Sequence, residues 1–70
     1  MAATVTFYSS EFTDSESQRR SLSYSVTVED GDFQGIIDAV RNDGGMHIRE
    51  EDGSGWFLPW PPAAVRIEIV

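Results

Sequence analysis

The chain has no cysteine, no lysine and a single histidine, and no apolar run near the length of a membrane helix. Without cysteine there is neither a disulfide framework nor a thiolate zinc site, and the composition suits a reducing compartment. A spanning helix needs about 20 apolar residues, so no membrane segment is expected. The opening "MAATVTFYSSEF" has no basic segment leading into an apolar run, so no signal peptide is expected either. These absences together predict a cytoplasmic protein.

Acid is what the sequence has in excess. The net charge is −7, and all five basic residues are arginines. A chain this acidic is repelled by phosphate backbones, which argues against direct nucleic-acid binding. It is attracted to basic surfaces, and nucleic-acid-handling proteins carry the largest of those. The same charge also keeps a small domain soluble. At 70 residues the chain reads as one domain, residues 1–70, near the size where one core only just offsets chain entropy.

Period-two patterns dominate the sequence. In "ATVTFYSSEF" Val5 and Phe7 alternate with Thr4, Thr6 and Tyr8, the pattern of a strand. "TDSESQRR" reads as a polar, mobile loop. "SLSYSVTVED" then places Leu22, Tyr24, Val26 and Val28 on one face and serines and Thr27 on the other. One segment switches period: Phe33, Ile36, Ile37 and Val40 recur at helical spacing. Asp32 stands at the N-cap, and Gly44 and Gly45 at the stop. Gly35 is out of place inside that helix and suggests close packing against the sheet or a partner. Strands resume with "MHIRE", "WFLPW" and "AVRIEIV", the last with Val65, Ile67 and Ile69 inward. The order ββαβββ predicts an α+β domain, a mostly antiparallel sheet of four to five strands with one helix on one face. Phe7, Leu22, Tyr24, Val26, Ile36, Ile37, Val40, Ile48 and Ile67 form the expected core.

Both tryptophans and all three prolines crowd into "DGSGWFLPWPPAAV". Trp56 and Leu58 sit two apart and are expected inward, facing Met46 and Ile48 across a hairpin. Pro59 cannot donate to a ladder, so it belongs at an edge or a strand end. Phe57 and Trp60 then either close the core or form an interface anchor, since tryptophan is enriched at the centres of interfaces. "PWPP" also has the spacing of a polyproline-type ligand. Most of the stretch is assigned to the core, with Trp60 expected to be exposed.

Catalytic patterns are missing. No serine sits in a glycine-flanked elbow, and the one imidazole, His47, has only Glu51 and Asp52 as companions for a metal. "EEDGSG" lacks calcium-loop spacing, and acids stand in "DGDFQG" and "NDGG" where phosphate would go. No enzyme activity, metal or cofactor is expected. The acids gather on turns instead. If the strands flanking the helix share a sheet, the crossover makes them parallel. One pole would then collect Glu29, Asp30, Asp32, Glu50, Glu51 and Asp52, with Asp14, Glu16 and Asp43 set against Arg19 and Arg20 at the other.

In its size, lack of cysteine, single helix on a small sheet and acidic turns, the chain resembles small phage-encoded anti-CRISPR inhibitors. The resemblance extends over the whole chain and rests on no specific motif. It implies a non-enzymatic binder, acting as a DNA mimic, that occupies a basic nucleic-acid site on a Cas protein or effector complex. The six turn acids would carry that role, with Trp60 as an added contact. The alternative is a small phage or bacterial structural or assembly protein that binds through an apolar sheet edge or the Trp60 region.

Overall fold

The computed structural model describes residues 1–70, and each alternating segment pairs as an antiparallel strand. Eight elements follow in order: β1 (Ala3–Tyr8), β2 (Phe12–Thr13), β3 (Arg19–Arg20), β4 (Ser23–Val28), α1 (Phe33–Asn42), β5 (Gly45–Arg49), β6 (Gly55–Pro59) and β7 (Ala64–Ile69). The fold is α+β with one helix, as the periods predict. The strands are divided among three small sheets: β4-β1-β7, β2-β3 and β5-β6.

β1 is the central strand and the most deeply buried. Ala3, Val5 and Phe7 are fully buried on one face, while Thr4 and Thr6 on the other bond Thr27 and Ser25 across to β4. The helix lays Phe33, Ile36, Ile37 and Val40 over Val5 and Phe7, and Leu58 of β6 completes this cluster. Each fully buried side chain of this size contributes about 1.5–3 kcal/mol. Asp32 caps the helix, its carboxylate accepting from the Gly35 N–H at 3.2 Å. A Cβ on Gly35 would stand 2.6 Å from the Asp32 carboxylate. Gly35 is exposed and makes room for the cap, not for the sheet or a partner as its position suggested.

Several expectations are corrected. β4 and β5 lie in different sheets and are not parallel neighbours. Tyr24 and Ile67 are 42% and 41% exposed, because their strands form the two edges of the sheet and a single ten-residue helix spans the middle. Trp60 is half-buried against the core, and Phe57 is the exposed member of that pair. Trp56 and Leu58 do pair with Ile48 and Met46, so period two places Phe57 on the opposite side of β6. The "TDSESQRR" segment is a hairpin rather than a mobile loop, with Phe12 opposite Arg20 and Thr13 opposite Arg19.

The molecule is elongated, 42 × 24 × 21 Å, with a radius of gyration of 13.1 Å. A compact chain of this length has about 11 Å. The excess comes from two hairpin arms. The β1–β4 ribbon continues past Tyr8 through a Ser9 N–H to Leu22 carbonyl bond into β2-β3. β5-β6 forms the second arm.

Candidate functional site

Short-range hydrogen bonds shape each arm tip. In the first, Asp14 accepts from the N–H groups of Glu16 and Gln18 at 2.9 Å each and from the Arg20 side chain at 2.7 Å. The Gln18 N–H is the main cause, aided by Glu16 and Arg20, that holds its carboxyl below the usual 3.8. In the second tip Asp52 accepts from the hydroxyl and the N–H of Ser54, which lower its carboxyl likewise. Both groups are therefore ionised at neutral pH. Glu50 reaches back along the hairpin and accepts from the Trp56 indole N–H at 2.7 Å.

The arms meet side by side. The Phe12 and Trp56 rings lie 5.2 Å apart at 48°, and each residue is two positions from its own tip. Between the arms opens a cleft of about 320 Å³ whose apolar lining includes Phe12, Leu22, Trp56 and Phe57. Phe57 is 48% exposed and rests against the His47 ring at 4.9 Å. His47 is thus engaged with an aromatic, and no three metal-ligating side chains converge anywhere in the molecule.

Six carboxylates lie on the two arms: Glu11 lines the cleft, and Asp14, Glu16, Glu50, Glu51 and Asp52 sit at the tips. Glu11 pairs with Arg19 at 3.3 Å, and Asp14 with Arg20. Glu16, Glu50, Glu51 and Asp52 take part in none of the ion pairs. Arg49 is the third base nearby.

The six acids singled out by sequence do not share a pole. Glu29, Asp30 and Asp32 lie at the opposite end of β1. There Val28 pairs with Ala3, and a Cβ on Gly31 would meet the Met1 carbonyl at 2.6 Å. Asp30 accepts from the Asp32 N–H, and Asp32 caps the helix, so both serve the turn. Glu50, Glu51 and Asp52 instead join Asp14 and Glu16, which the sequence had placed at the other pole. The grouping differs because β5 pairs only with β6, in a sheet of its own, rather than lying alongside β4. Trp60 lies outside the cleft. Phe57, one of the two aromatics offered as an interface anchor, lines it, and so does Phe12, which was not anticipated. The lone aromatic of a polar stretch, Phe12, was the available signal. No protein-family model, no curated protein and no solved structure matches the chain.

Proposed function

We propose that the protein is a non-enzymatic binding protein whose arm end engages a basic surface of a nucleic-acid-handling protein and blocks it. One observation carries the reading: an apolar cleft lined by Phe12, Trp56 and the exposed Phe57 opens between two arms whose tips bear four carboxylates free of ion pairs. An arginine from such a surface would find carboxylates for its guanidinium and an aromatic face for its plane. The resemblance to anti-CRISPR inhibitors names one class of target, a Cas protein or effector complex. Charge density favours a local plug over imitation of a long duplex. A 42 Å length of double-stranded DNA carries about 25 negative charges, whereas this molecule has a net charge of −7.

The assembly reading is favoured by one observation of its own, the exposure of Ile67 and Ile69 on an uncovered edge strand. Salt separates the two readings. Binding of an octa-arginine peptide, followed through tryptophan fluorescence, should weaken by about tenfold or more between roughly 50 and 300 mM salt. A salt-independent affinity would reject the charge-driven reading.

A further inference from the structure

The outer edge of β7 faces solvent along its length. Val70 donates to the Ala2 carbonyl at 2.9 Å, and main-chain groups alternate in direction along an antiparallel strand. The N–H and C=O groups of Val65, Ile67 and Ile69 therefore point away from β1. Their side chains share the helix-bearing face with Phe7, Val5 and Ala3, their partners across the ladder. Ile67 and Ile69 are 41% and 54% exposed there. Proteins usually blunt such an edge with proline, a bulge, inward charge or a covering loop. Ala64–Ile69 contains no proline and holds an unbroken register with β1. The only charges on the strand, Arg66 and Glu68, are opposite in sign and lie on the polar face.

We infer that β7 pairs antiparallel with β7 of a second copy of the chain, about a two-fold axis at Ile67. The two three-stranded sheets then form one sheet of six. In this register Ile67 faces the partner's Ile67 and Val65 faces the partner's Ile69. All of these residues carry outward main-chain groups, so every pair can exchange hydrogen bonds. Arg66 stands opposite the partner's Glu68, and Glu68 opposite the partner's Arg66, at positions where Cα atoms approach to about 4.5 Å. The register is selected by charge. Sliding by one residue breaks the hydrogen-bonding parity, and sliding by two sets Arg66 against Arg66 or Glu68 against Glu68. β4, the other edge strand, carries no charge and has no such selection. The inference concerns a surface apart from the arm end and is independent of the reading proposed for it.

Sedimentation equilibrium on the intact chain tests this at about 0.15 M salt, where a Debye length of about 8 Å screens long-range repulsion. The wild type should dimerise reversibly. Arg66→Glu alone and Glu68→Arg alone should each weaken the dimer about tenfold or more, because each sets like charges together twice. Arg66→Glu combined with Glu68→Arg in one chain should restore affinity to within about threefold of wild type. Both side chains are exposed, 66% and 56%, so the variants should fold, with circular dichroism as the check. A wild type that is monomeric up to about 1 mM would overturn the inference. So would a dimer indifferent to the single reversals, or one that the double exchange fails to restore.

Discussion

Gly44 and Gly45 are adjacent and both read from sequence as a helix stop, yet the structure uses them differently. Gly44 has φ 76° and open space where a Cβ would go. Gly45 has φ 143°, and its Cβ would collide with the Leu58 carbonyl and stand 2.7 Å from the Phe57 ring. Gly44→Ala should therefore cost only the left-handed backbone penalty, about 1–2 kcal/mol. Gly45→Ala should cost clearly more, about 3 kcal/mol or above, since backbone on the second arm must also move. Urea denaturation of the two variants checks the order, and equal costs would contradict the close approach of β5 and β6. The sequence showed that this place needed glycine. It could not show that the second glycine belongs to the hairpin, because a collision depends on a strand thirteen residues away.

At the scale of elements, the helix and the β1, β4, β5 and β7 patterns were legible because their periods are local and strong. Sheet membership was not, since period two says which residues share a face and nothing of which strands are neighbours. Hence Ile67 was expected in the core and lies on an edge, and a polar stretch rich in serine concealed the β2-β3 hairpin. Gly35 illustrates local coupling within α1. Replacing a helix glycine by alanine ordinarily stabilises by about 1 kcal/mol, and Asp32→Ala should cost about the same through loss of the cap. Gly35→Ala should give little benefit in the wild type, where the added methyl crowds the capping carboxylate. It should recover the full benefit in an Asp32→Ala background. Thermal unfolding of the four proteins measures this coupling, and strict additivity would show that Gly35 and Asp32 act independently.

Across the whole molecule, charge and shape act together. Composition alone revealed the excess of acid, and turn chemistry located most of it. What the sequence lacked was the direction of the second arm, which moves Glu50, Glu51 and Asp52 away from Glu29, Asp30 and Asp32 and beside Phe12. That placement also changes which residues are sound probes. Glu50 holds the Trp56 indole and Asp52 shapes its turn, so reversing either disturbs structure as well as charge. Glu16 and Glu51 are exposed, and their carboxylates take part in no hydrogen bond or ion pair that shapes the arms. The most direct measurement compares two double variants in octa-arginine binding at low salt. Glu16→Lys with Glu51→Lys alters the arm end, and Glu29→Lys with Glu68→Lys alters exposed acids toward the opposite end of β1. Each pair moves the net charge from −7 to −3. If the arm end is the binding site, the first pair should weaken binding by about tenfold or more and the second by no more than about threefold. Equal losses would mean that the peptide senses only net charge, and would contradict the assignment of function to the acidic arm end.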